Sequence, residues 1–119
     1  MPTFRKEHIA AFGQVSLRQF ETSLAAHLRT KFPAECGSHA EEGLRQFVSA
    51  GIERAASYKV IAEGDVRRYL ERMVIHGFDF DTNRRTHWAG QVLRTVSVDG
   101  TEKMAAIERL AAQMEDRNE

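Results

Sequence analysis

The stretch Ala62-Glu63-Gly64-Asp65-Val66-Arg67-Arg68-Tyr69-Leu70-Glu71-Arg72-Met73-Val74-Ile75-His76 decides the fold class. Val66, Tyr69, Leu70, Met73 and Val74 recur at i, i+3, i+4, i+7 and i+8, the spacing that puts side chains on one face of an α-helix. Arg67, Arg68, Glu71 and Arg72 fall opposite, so one face is read as buried and the other as solvated. Glu63, Asp65 and Glu71 interleave with the arginines, which makes the cluster a charge-mixed helix face and not a basic patch. His76 stands at the C-terminal end, where the helix dipole favours a charged imidazole. Gly77 then supplies the residue that most easily takes the left-handed backbone beyond a helix end.

The same period extends upstream. Leu44, Phe47, Val48, Gly51, Ile52 and Ala55 recur at helical spacing, and Ser38 followed by Glu41 has the form of a capping box at the start. Gly43 and Gly51 each cost this helix about 1 kcal/mol; close approach of a neighbouring helix would explain them, and so would simple tolerance. A further helical run covers residues 4–31, with an interruption expected near Gly13 and a restart at Ser16, whose partner Gln19 again makes a capping box. Leu17, Phe20, Leu24 and Leu28 share its apolar face. Phe32-Pro33 ends it, because proline removes a donor and clashes with the preceding turn.

Downstream, residues 78–87 read as irregular. A short helix is expected over residues 88–96, and Thr101 is expected to cap a last helix whose inner face carries Met104, Ile107, Leu110, Ala111 and Met114. Val92, Val96 and Val98 also fit a short strand, but a strand there has no partner. Residues 115–119 are polar and are expected to fray. The result is an all-α fold: a single domain over residues 1–119, a compact bundle of five or six helices with an irregular loop around 77–88.

Composition narrows the function classes. The 119 residues are 42% hydrophobic and 29% charged, the balance of a folded globular chain. Seventeen basic and 17 acidic residues cancel, which argues against a nucleic-acid binder. Cys36 is the only cysteine, so no internal disulfide forms, and a cytoplasmic location is expected, with export by a route that needs no cleaved signal as the alternative. No apolar run approaches the roughly 20 residues that cross a bilayer, and the N-terminal residues lack the apolar core of a signal peptide.

Asp79-Phe80-Asp81-Thr82-Asn83 imitates the start of a calcium-binding EF-hand loop. The imitation stops at the sixth position, where glycine is needed and Arg84 stands. It fails again at the twelfth, where a glutamate is needed and Gly90 stands. The simpler reading is a turn whose aspartates accept backbone N–H groups or pair with nearby arginines. His8, His27, His39, His76 and His87 include no pair at metal-binding helical spacing. Cys36 with His39 is not read as a catalytic pair, because nothing in the sequence orients the two. No phosphate loop, nucleophile elbow or dinucleotide fingerprint occurs. No cofactor or metal is therefore expected.

What remains is the segment from Gly77 to Trp88. Aromatic residues and arginine are the side chains most enriched at protein-binding hot spots. Phe78, Asp79, Phe80, Asp81, Arg84, Arg85 and Trp88 are accordingly the expected interaction residues, with Phe78 and Trp88 anchored inside and the charges outside.

This segment also carries a resemblance. Gly51-Ile52-Glu53-Arg54-Ala55, Tyr58, Glu63-Gly64-Asp65-Val66, Tyr69-Leu70, Gly77-Phe78-Asp79-Phe80-Asp81-Thr82, Trp88-Ala89 and Val92-Leu93 follow one another in an order that resembles small, mostly uncharacterised bacterial proteins associated with type VI secretion effector loci. The resemblance covers residues 32–93. It departs where a glycine is expected at Lys59 and prolines near Arg84 and His87. It implies an accessory or adaptor role in effector handling and carries over no catalytic residue. The expected function is a non-enzymatic protein-interaction module whose partner is a secreted effector or a secretion component. The alternatives are an immunity protein that binds a co-encoded toxin and a small metal-dependent protein using the Asp79/Asp81 turn.

Overall fold

Phe32 and Pro33 divide the first helical run. The computed structural model describes residues 13–37 and 40–117, and in it α1 (Gly13–Lys31) stops just before this pair. The fixed φ of proline that breaks one helix suits the first turn of another, and the single-turn α2 (Pro33–Cys36) starts there. Helix α1 passes through Ser16 without the expected restart; the reading of residues 4–12 as helix lies outside the described residues.

Helix α3 (Glu41–Ser57) has Ala40 at its N-cap and no side-chain capping bond. The expected capping box rests on Ser38, which lies outside the described residues. Glu41 and Glu42 instead put negative charge in the first turn, where unpaired N–H groups favour it. The C-terminus closes in a Schellman motif: the Lys59 N–H reaches the Ala56 carbonyl and the Val60 N–H reaches the Ala55 carbonyl, both at 2.9 Å. Lys59 takes the left-handed backbone this motif needs, with φ 66°. A β-carbon is strained in that conformation. Lys59→Gly should therefore raise the unfolding free energy by about 0.5–1 kcal/mol in urea titration, the relief of strain exceeding the added freedom of the unfolded chain.

Helix α4 (Glu63–His76) follows, then a 3-10 turn (Arg84–Thr86), α5 (His87–Leu93) and α6 (Gly100–Arg117). Helix α5 ends earlier than expected, and Val96 falls in the turn beyond it. The first turn of α6 is capped by Asp99 and not by Thr101: Asp99 Oδ1 accepts the Glu102 N–H at 2.9 Å. Thr101 instead donates its hydroxyl to Asp65 on α4.

Helix α3 lies between α1 and α4, and α6 packs on α4 and α5. The apolar faces read from the sequence meet there: Leu24, Leu28, Leu44, Val48, Ile52, Val66, Leu70, Met73, Met104 and Ile107 are all buried. Gly51 lies where α3 packs against α4 side chains. A β-carbon there would lie 2.9 Å from Met73 Sδ and closer still to Leu70 Cδ2. Gly43 has open space beside it and is simply tolerated. The described residues form six helices and no strand, an all-α bundle, and no described helix is long and apolar enough to cross a membrane.

The charged side of α4 is less solvated than its sequence implies. Glu71 is buried and held from α1 by His27 at 2.6 Å and Lys31 at 3.2 Å. Asp65 is also buried, and Arg68 lies between it and Glu108 of α6, with 3.0 Å to Asp65 and 2.9 Å to Glu108. Hydrogen bonding from Arg68 holds the Glu108 carboxyl below the usual carboxylate range. Helices α1 and α6 therefore flank α4 on the face that spacing alone assigns to water.

Candidate functional site

The loop after α4 is built from its own backbone. Gly77 leaves the helix with φ 113°, a conformation that disfavours any side chain. The Phe80 N–H returns to the Gly77 carbonyl at 3.1 Å, and the Thr82 and Asn83 N–H groups both reach the Asp79 carbonyl at 2.9 Å. Asn83 Oδ1 then accepts the Arg85 N–H at 2.9 Å and starts the 3-10 turn. Buried Thr86 ties the two ends together by donating to the Phe80 carbonyl at 2.6 Å.

The centre of the site is Asp81. Its side chain is only 2% exposed. Arg54 Nη2, from α3, lies 2.7 Å from each of its carboxylate oxygens. The Tyr58 hydroxyl donates to Oδ2 at 2.6 Å. Arg94, at the end of α5, donates to the Asp81 carbonyl at 3.1 Å. The arginine that Asp81 pairs with is thus distant in sequence and is neither Arg84 nor Arg85. Asp79 faces the other way, exposed, with Asn83 Nδ2 at 3.4 Å from its Oδ2. Gly90 lets α5 press on this turn, since a β-carbon there would lie 2.5 Å from the Asp81 carbonyl.

Aromatic rings surround the ion pair. Tyr69 packs on Phe80 with centroids 5.0 Å apart and stacks with Tyr58 at 6.4 Å. His76 meets Trp88 edge-on at 5.6 Å. Arg72 Nη1 lies 3.3 Å from His76 Nε2. The Tyr69 hydroxyl is buried beside the Arg54 guanidinium, close enough to feel its charge, with no well-aligned hydrogen-bond partner among the described residues.

These surroundings hold both tyrosines in the protonated form. Burial pushes Tyr58 up to about 12, helped by its hydrogen bond to Asp81 and the Asp81 charge. Burial likewise raises Tyr69, and the Asp81 charge adds to it. An unfolded tyrosine ionises near pH 10. As pH rises from about 10 to 12 the unfolded chain releases protons that the folded chain keeps, and stability is lost. The urea midpoint should therefore fall across that window, and Tyr58→Phe should make the fall shallower.

The expected interaction residues thus divide. Phe80 is 0% exposed and Asp81 is buried, so neither presents its side chain to a partner. Phe78, expected inside, is 41% exposed, because Phe80 has taken the core position. The Phe78 ring is held against Phe47, with centroids 6.1 Å apart, and under the Arg54 guanidinium at 5.0 Å. Asp79, Arg84 and Arg85 are exposed, and Trp88 is half-buried. Beside Phe47 a groove of about 310 Å³ opens between α2, α3 and α4, lined by Cys36, Leu44, Phe47, Met73 and Val74. Cys36 is itself buried, and burial raises its thiol pKa, so it is not an activated nucleophile; its expected neighbour His39 lies outside the described residues. Among the described residues no three His, Cys, Asp or Glu side chains converge. The Asp81 carboxylate is held by Arg54 and Tyr58.

Arg54 and Tyr58, which make the site, lie far from the loop in sequence. No family model, curated protein or solved structure matches the chain.

Proposed function

We propose that the protein is a non-enzymatic interaction module that docks a partner protein on the surface formed by Phe78, Phe47 and the adjoining groove, with Arg84 and Arg85 on the same loop. The observation that carries this reading is the position of Phe78. It is a large aromatic side chain left 41% exposed, yet fixed between Phe47 and Arg54. A preorganised aromatic beside a groove binds without the entropy cost of ordering it. Arg84 and Arg85 favour a partner segment with acidic residues around an apolar anchor. The sequence resemblance makes a secreted effector or a secretion component the first partner to test, and a cytoplasmic encounter belongs to that reading.

The test begins with affinity purification of the tagged chain from its native cells, followed by reconstitution with the purified partner. The variant Phe78→Ala should weaken binding by at least about 30-fold, the loss expected of a hot spot. Adding Arg84→Ala and Arg85→Ala should slow association, most visibly at low salt. Unchanged affinity in the triple variant overturns the assignment of this surface.

A further inference from the structure

A second concavity lies away from Phe78, where the Schellman turn after α3 meets the end of α5 and the start of α6. It is an open cleft of about 370 Å³, with Tyr58, Lys59, Leu93, Arg94, Val96 and Lys103 in its wall. Three of these are cations, and no carboxylate lines it. Lys103 is 3% exposed. One of its N–H groups reaches the Tyr58 carbonyl at 2.9 Å, which satisfies the last turn of α3. No acidic partner balances its charge among the described residues: burial and then the Lys59 charge lower its pKa. Asp99, the nearest acid in sequence before α6, already has Oδ1 on the Glu102 N–H.

Lys103 also stands in the first turn of α6, at the helix end that carries partial positive charge and disfavours a cation. Burying an ammonium there without a counter-charge is costly. The Tyr58 carbonyl accounts for one N–H of Lys103. It does not account for exposed Lys59 in the wall of the same apolar cleft, beside Arg94, whose Nη1 donates to the Asp81 carbonyl at 3.1 Å, nor for Val96, which is 91% exposed there. A negative group would offset all three charges, and an apolar body attached to it would cover Val96 and Leu93.

We propose that this cleft binds a small organic anion, a carboxylate or phosphate ester carried on an apolar body. It is a separate site from the Phe78 surface, so either can fail without the other. The test is a two-dimensional amide NMR titration of the full chain with phenyl phosphate, hexanoate, inorganic phosphate and benzyl alcohol. Phenyl phosphate or hexanoate should saturably move the amides of Tyr58, Lys59, Arg94 and Lys103, and the tighter of the two identifies the preferred head group. Inorganic phosphate should bind about tenfold more weakly, and benzyl alcohol should leave those amides unmoved. Lys59→Gln should weaken binding about fivefold with an otherwise native spectrum, and the double variant with Arg94→Gln more than tenfold while also shifting the amides of the Asp81 turn that Arg94 holds; Phe78→Ala should leave binding unchanged. Absence of saturable shifts with both organic anions overturns the proposal, as does equal binding by Lys59→Gln and its double variant.

Discussion

Replacing Arg54 with methionine should lower the unfolding free energy by about 3 kcal/mol, even though a third of the arginine side chain is exposed. The loss does not come from the arginine itself. Methionine keeps an apolar stem against Phe78, so packing is largely conserved. What changes is Asp81, whose carboxylate, 2% exposed, loses the guanidinium at 2.7 Å and keeps only the Tyr58 hydroxyl. A buried carboxylate left without its cation costs about 3–5 kcal/mol, and water entering beside the exposed part of residue 54 sets the lower end of that range. Asp81→Asn in the Arg54→Met background should then recover at least about 1 kcal/mol, because it removes the stranded charge. Urea unfolding of the two single variants and the double variant measures all three terms. An Arg54→Met protein within 1 kcal/mol of the parent, or a double variant no more stable than Arg54→Met, would show that the pair does not hold the loop.

The helices were legible because their apolar faces repeat at a local period. Val66, Tyr69, Leu70 and Met73 lie where that period puts them, and so do Leu44, Val48, Ile52 and Ala55. Features that depend on a second element were not legible. Glu71 and Arg68 belong to the polar side of α4 by spacing, yet α1 and α6 cover them. The site shows the same limit. Composition marked the 78–88 loop, but nothing local distinguishes Phe78 from Phe80, which stand on either side of Asp79. Alternation would put residues two apart on one face; they are separated by the turn that follows Gly77 and that Arg54 holds from α3 through Asp81.

The assignment of those two phenylalanines supports the second large effect. Phe80→Ala should cost about 4 kcal/mol, the range for emptying a buried phenylalanine site. Phe80 is 0% exposed and lies against Tyr69 at 5.0 Å and His76 at 6.1 Å. Its carbonyl holds the buried Thr86 hydroxyl, so collapse into the cavity would break the closure of the loop. Phe78→Ala, two residues earlier, should cost no more than about 1 kcal/mol. Its ring is 41% exposed, and it gives up one cation–π contact and part of one aromatic pair. Partner affinity should rank the variants in reverse: Phe78→Ala remains folded and loses binding, whereas Phe80→Ala, at a temperature where it is still folded, retains whatever the ordered loop retains. Urea midpoints and partner titrations on the same two proteins separate the roles. Equal stability losses would place both rings in the core and remove the anchor on which the interaction surface rests. A binding loss confined to Phe80→Ala would mean that the partner reads the shape of the loop and not the exposed ring.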